Sequence, residues 1–112
     1  MEHTKEVLKN GDIIFKNKKD LLHREDGPAI AYVNGTKEWW LNGKRHRTDG
    51  PAIENINGNK EWYLNGKLHR EDGPAIEYND GDKEWYLNDK AISENEFLNF
   101  LKNKTKKEIQ FE

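Results

Sequence analysis

Three histidines raise the first question of chemistry in this chain. His23, His46 and His69 stand 23 residues apart, and each opens the same string: Arg24, Arg47 and Arg70, then Asp26, Asp49 and Asp72, then Gly27, Gly50 and Gly73, then Pro28, Pro51 and Pro74. Imidazole beside carboxylate can ligate a metal ion or move a proton. The spacing argues against a shared metal. If each repeat contributes two strands, equivalent residues lie about 9–10 Å apart, whereas a zinc ligand lies about 2 Å from its ion. Repetition also argues against catalysis, because an active site is normally a single constellation. Ser93 is the only serine, there is no cysteine, and no Gly-rich phosphate loop or helical His pair is present. The chain is therefore expected to be non-enzymatic, with no metal and no cofactor. The His, Asp and Gly of each string are assigned to turn structure, with Arg pairing to a nearby acid.

A second set of residues suits recognition. Trp39, Trp62 and Trp85 alternate with Trp40, Tyr63 and Tyr86, so strand geometry sends the two rows to opposite faces. The first row shares its face with Leu41, Leu64 and Leu87 and is expected to be core. The second row stands beside Glu38, Glu61 and Glu84. Large rings on the more polar face make this row the candidate protein-binding surface, since Tyr and Trp are favoured at interfaces. Packing of the same row under loops, or against Tyr32 and Tyr78, is the competing reading.

These residues sit in a repeat. Besides the His string, Ala29, Ala52 and Ala75, then Ile30, Ile53 and Ile76, Gly35, Gly58 and Gly81, and Lys37, Lys60 and Lys83 keep the 23-residue period. Each unit reads as β. Ala29 to Val33 is a strand, Asn34-Gly35 a turn, Lys37 to Leu41 the return, Asn42-Gly43 a second tight turn, and Lys44 to Arg47 pairs back. The predicted fold is mainly β: tandem 23-residue hairpin repeats in one elongated antiparallel sheet, with a C-terminal capping helix. One domain, 1–112, divides into a degenerate N-terminal hairpin (1–19), three repeats (20–91), the helix (93–104) and a tail (105–112). Asp89 replaces the glycine of Gly43 and Gly66, so the turn of the third unit is expected to be lost. Ser93 and Glu96 form a capping box ahead of the apolar residues Phe97, Leu98, Phe100 and Leu101. In the tail, Ile109 and Phe111 alternate as in an edge strand.

Composition narrows the function classes. The chain has 112 residues, 33% hydrophobic and 36% charged, with four Trp and a formal net charge of −2. That charge does not favour direct nucleic-acid binding, and the Lys102 to Lys107 stretch is followed by Glu108 and Glu112. No segment has the length of a membrane helix, and Met1 to Asn10 has no apolar signal core. With cysteine absent, a cytoplasmic protein without membrane association is expected.

The string around Asp80-Gly81 with Glu84-Trp85 after it, and the Asn65-Gly66-Lys67 turn followed by His69, resemble MORN repeats, more closely their degenerate bacterial and viral variant. The resemblance covers residues 20 to 90. It implies stacked hairpins in a twisted sheet, and roles in scaffolding and protein–protein contact. The chain departs from the family where Arg-Glu-Asp-Gly-Pro replaces the Gly-x-Gly that usually follows the His. It also lacks the aromatic-x-Gly-x-Trp order, so the lipid-headgroup binding of some members is not carried over. A weaker likeness is to choline-binding repeats.

The expected function is that of a protein-binding module, either an adaptor or an inhibitor that occupies a surface of a larger protein or nucleoprotein machine. Richness in Lys, Asn, Glu and Ile resembles the products of AT-rich phage and mobile-element genes, which extends this expectation to a phage protein directed at a bacterial defence system. The alternatives are a glycan- or choline-type ligand-binding repeat and a self-associating structural repeat forming homo-oligomers.

Overall fold

The computed structural model describes residues 3–110, with side chains through Lys106. An N-terminal hairpin pairs β1 (Thr4–Val7) with β2 (Ile13–Lys16). The first unit adds β3 (Ile30–Ala31), β4 (Lys37–Glu38), β5 (Trp40–Leu41) and β6 (Lys44–Arg45). The second adds β7 (Ile53–Glu54), β8 (Lys60–Glu61), β9 (Tyr63–Leu64) and β10 (Lys67–Leu68). The third adds β11 (Ile76–Glu77), a longer β12 (Lys83–Leu87) and β13 (Lys90–Ile92), and α1 (Glu94–Gln110) follows. One nine-stranded antiparallel sheet runs β1-β2-β3-β4-β7-β8-β11-β12-β13, while β5–β6 and β9–β10 form two small hairpins beside it. The result is elongated, 52 × 35 × 20 Å.

Turn chemistry sets this path. Asn42 and Gly43 have φ of 49° and 81°, and Asn65 and Gly66 have 52° and 83°, as a two-residue turn with both centres left-handed requires. The loss of this turn expected in the third unit does not occur. Asn88 and Asp89 adopt φ of 51° and 69°, and Leu87 pairs with Lys90 across them. Asn and Asp tolerate this region better than most residues. The Asp89 carboxylate also accepts the Leu68 backbone N–H at 2.7 Å, which holds the residue in place.

The register gives each face of the main sheet its own row. On one face Ile30, Glu38, Ile53, Glu61, Ile76 and Glu84 lie side by side across successive strands. On the other, Lys37 faces Glu54, Glu54 faces Lys60, Lys60 faces Glu77 and Glu77 faces Lys83, a run of favourable cross-strand charge pairs. One residue further along, backbone bonds from Phe15 to Ala29, Trp39 to Ala52 and Trp62 to Ala75 set a large ring beside a small alanine at each step.

The interior differs from the one alternation suggests. The buried apolar residues are Phe15, Ala29, Ile30, Ala52, Ile53, Ala75, Ile76 and Phe97. Trp39, Trp62 and Trp85, with Leu41, Leu64 and Leu87, are half-buried instead of enclosed. A single-layer sheet has no second sheet to close over that row. The guanidinium groups of Arg47 and Arg70 cover Trp39 and Trp62, as described below.

The helix begins at the expected capping box. The Ser93 Oγ accepts from the Glu96 backbone N–H at 3.1 Å, and the Ser93 N–H donates back to the Glu96 carboxylate at 3.0 Å. It then runs to Gln110, past the expected end at 104, so the edge strand expected around Ile109 is helical backbone; Phe111 lies outside the described residues. The segment from Lys102 to Gln110 has neither Gly nor Pro and carries four Lys, which favours continuation. No helix among the described residues is long and apolar enough to cross a membrane.

Candidate functional site

Each His string folds its arginine back over an aromatic ring. The Arg47 guanidinium lies 3.7 Å from the centre of the Trp39 ring and that of Arg70 3.9 Å from Trp62, while Arg24 covers Phe15 at 4.1 Å. Two residues on, the Asp of the string accepts from the Arg Nε at 2.7–2.9 Å, and the Pro carbonyl takes Nη1 at 3.0–3.3 Å. Arg47 and Arg70 also bind Glu54 and Glu77. The glycine between Asp and Pro leaves room for the folded-back guanidinium, which a larger residue would push aside. A Cβ on Gly27, Gly50 or Gly73 would meet the Arg Cζ at 2.8–2.9 Å. The arginines hold the Asp26 and Asp49 carboxyls below the ordinary carboxylate range, chiefly through these hydrogen bonds.

The histidines do more than cap their own turn. Each Nδ1 accepts a backbone N–H 19 residues ahead, in the turn of the following hairpin: Asn42 to His23, Asn65 to His46 and Asn88 to His69, all at 2.9 Å. This places the proton on Nε2. In the first and third strings that nitrogen meets Glu25 at 3.4 Å and Glu71 at 2.9 Å. In the second string Thr48 stands at the corresponding position.

Between successive strings the surface sinks into grooves. The first groove lies between 24–27 and 46–49, is floored by Trp39 and Leu41, and encloses about 410 Å³. The second lies between 47–50 and 69–72, is floored by Trp62 and Leu64, and encloses about 600 Å³. Their rims are acidic: the side chains of Glu25, Asp26, Asp49 and Asp72 are 58–85% exposed, whereas those of Arg24, Arg47 and Arg70 are only 18–26% exposed. Lys104 of α1 reaches the second groove and donates to Glu71 at 2.9 Å. Its bond, and then that of His69, lower the Glu71 carboxyl from its ordinary value.

The row Trp40, Tyr63 and Tyr86 lies on the opposite face and is half-buried. Its polar atoms are turned onto the glutamates. The Trp40 indole N–H donates to Glu38 at 3.0 Å, Tyr63 to Glu61 at 2.8 Å and Tyr86 to Glu84 at 3.1 Å. Tyr32 and Tyr78 add second bonds to Glu38 and Glu84. Arg45 packs between the Trp40 and Tyr63 rings, 5.1 and 5.4 Å from their centres. The structure thus brings together all six residues marked from the sequence, along with Tyr32 and Tyr78, and it sets them apart from the grooves. Sequence reasoning missed the grooves themselves. The Thr48 interruption of the Glu25 and Glu71 pattern is visible in the sequence, but the Lys104–Glu71 bond, spanning 33 residues, has no local signature.

The ring face carries a pH signature. Desolvation first, and then the bond to Glu61, push the Tyr63 phenol up to about 12. A phenol raised in the folded state adds stability that is complete below its unfolded value near 10 and is lost as pH rises toward 12. Ultraviolet titration should therefore show one phenol ionising near pH 12, and Tyr63→Phe should remove that step; ionisation of all four tyrosines near pH 10 in the folded protein would contradict it.

No protein-family model matches the chain, and no curated protein or solved structure matches it either.

Proposed function

We propose that the chain is a MORN-like, non-enzymatic protein-binding module, acting as an adaptor or as an inhibitor that covers a surface of a larger protein or nucleoprotein machine. The observation that carries this reading is the pair of grooves repeated along one face, with aromatic floors and exposed charged rims. Serial, similar recesses suit a partner segment that runs along the repeat axis and places one side chain in each. Repeat proteins bind in this manner because each unit contributes a similar local surface.

A glycan- or choline-type ligand needs a free ring face for stacking. Arg45 lies against the Trp40 and Tyr63 rings that such a ligand would use, and Arg47 and Arg70 cover a face of Trp39 and of Trp62, which favours a protein partner over such a ligand. Affinity capture from lysate of the natural host tests the reading. Wild type should retain a discrete partner that Glu25→Lys combined with Asp49→Lys loses, both changes lying on the first groove's rim. A partner held equally by the two proteins would overturn the groove assignment. No specific partner, beside a concentration-dependent mass in light scattering, would favour self-association instead.

A further inference from the structure

The turns of the main hairpins dock on one another by one pattern, repeated along the sheet. The Val33 N–H donates to Asp12 Oδ1 at 2.8 Å, the Ile56 N–H to Thr36 Oγ1 at 3.0 Å and the Asn79 N–H to Asn59 Oδ1 at 2.8 Å. The side chain of each donor residue lies over the glycine of the preceding turn. A Cβ on Gly11 would meet Val33 at 2.8 Å, one on Gly35 would meet Ile56 at 2.9 Å, and one on Gly58 would meet Asn79 at 3.3 Å. Strand pairing completes each step. Ile53 faces Glu38 and Glu54 faces Lys37; Ile76 faces Glu61 and Glu77 faces Lys60.

Gly81 and Asp82 hold the same positions in the last turn, and there the series is open. Beyond its chain neighbours, no described residue comes within 4 Å of a Cβ on Gly81. Among the described residues none donates to the Asp82 carboxylate, and Asp82 is exposed where Thr36 is buried. β13 pairs with Trp85, Tyr86 and Leu87, so Lys83 and Glu84 have β11 on one side and no strand on the other. The Tyr78 N–H bonds the Asp82 carbonyl, so strand alternation turns the N–H and C=O of Lys83 to the free side. After β13 the chain enters α1 instead of returning to this edge.

We propose that the edge from Gly81 to Glu84 is a docking slot for an extended segment of a partner protein, added antiparallel to β12. The internal steps set its register and chemistry. An aliphatic residue stands opposite Glu84 and an acidic residue opposite Lys83. Two positions further on, a backbone N–H meets the Asp82 carboxylate and its side chain covers Gly81. Unpaired strand edges take up added strands in this way, with backbone bonds giving affinity and alternate side chains specificity. A second copy of this chain fits the slot poorly. Its free edge is β1, whose Glu6 and Val7 face Ile14 and Ile13 as Ile30 and Ala31 face Glu38 and Lys37. In the same register β1 would set Glu6 against Glu84 and leave Lys83 facing Val7, and like charges directly opposite are destabilising. The slot is separate from the two grooves, whose linings include none of its residues.

The test uses the full chain and, as probe, a blocked peptide with the sequence from Ala52 to Asn57, the segment that docks on Lys37 and Glu38 within the chain. It is titrated into ¹⁵N-labelled protein and the backbone amide signals are followed. The signals of Gly81 to Glu84 should move in the millimolar range, and those of Thr4 to Val7, on the other free edge, should stay in place. Asp82→Ala should weaken the response about two- to tenfold, the scale of one hydrogen bond. The peptide carrying Glu54→Lys should bind wild type about two- to fivefold more weakly, the scale of one exposed ion pair, and Lys83→Glu protein should reverse that preference. Indifference of Gly81 to Glu84, an equal response on Thr4 to Val7, or a response unchanged by Asp82→Ala would overturn the slot. A charge preference that Lys83→Glu leaves unchanged would overturn the register. Signals of Gly81 to Glu84 that move with protein concentration alone would assign the slot to a second copy instead of a partner. None of these results bears on the groove reading, which the capture experiment tests by itself.

Discussion

Replacing Glu38 by alanine is expected to destabilise the fold by about 2–4 kcal/mol, measured by urea unfolding. Glu38 is 9% exposed and lies in the sheet between Ile30 and Ile53. Its carboxylate accepts the Tyr32 hydroxyl at 2.9 Å and the Trp40 indole N–H at 3.0 Å. The Arg45 Nε, itself buried and without a hydrogen bond, lies 3.5 Å away. Alanine would leave two donors and a guanidinium facing a small void. An unsatisfied buried donor costs about 1–3 kcal/mol. Loss of one partner from a fully buried ion pair costs about 3–5 kcal/mol; the Arg45 side chain is 37% exposed, which places the expectation below the sum. The same change at Glu61 should cost less. That residue is half-buried, and Asn55 replaces the tyrosine that serves Glu38 and Glu84. Equal costs at the two positions, or a cost below about 0.5 kcal/mol at Glu38, the range of ordinary surface changes, would show that the carboxylate is not the centre of this network.

The second large effect is expected at Ala52, where leucine should cost about 1–3 kcal/mol through overpacking. Ala29, Ala52 and Ala75 are each 0% exposed. The Trp39 N–H donates to the Ala52 carbonyl and the Ala52 N–H to the carbonyl of Glu61, next to Trp62, which places Ala52 between these two rings along the row. Added methylenes have nowhere to go unless a ring moves, and Trp39 is held from above by Arg47. Ala91, exposed on β13, is the control: leucine there should stay within about 0.5 kcal/mol of wild type. An Ala52→Leu protein as stable as the control would mean that the tryptophan row yields freely and is not the packed side of the sheet.

These two sites also mark how far the fold could be read beforehand. The 23-residue period, the Asn-Gly turns and the Ser93–Glu96 capping box are local features, and each follows from residues within a few positions of one another. Alternation likewise separates Trp39 from Trp40. It does not say which face is covered, because cover comes from elsewhere in the chain. Arg47 closes over Trp39 from the next loop, and Glu38 becomes buried only because Tyr32, Trp40 and two isoleucines meet around it. The row read as core is therefore half-buried, and the row read as a binding surface has its polar atoms engaged within the sheet. The Asp89 turn survived the loss of its glycine through a bond to Leu68, 21 residues away. The grooves depend on how far apart successive loops stand, and the cation in one of them comes from a helix in another part of the sequence.

The measurement that bears most directly on the protein-binding account is site-specific photo-cross-linking during capture from host lysate. A benzophenone side chain is placed at Thr48, which lines both grooves, or at Tyr86 on the opposite face. The account predicts one discrete covalent adduct from position 48 and none from position 86. Adducts from position 86 alone, or none from 48 when wild type retains a specific partner, would contradict it.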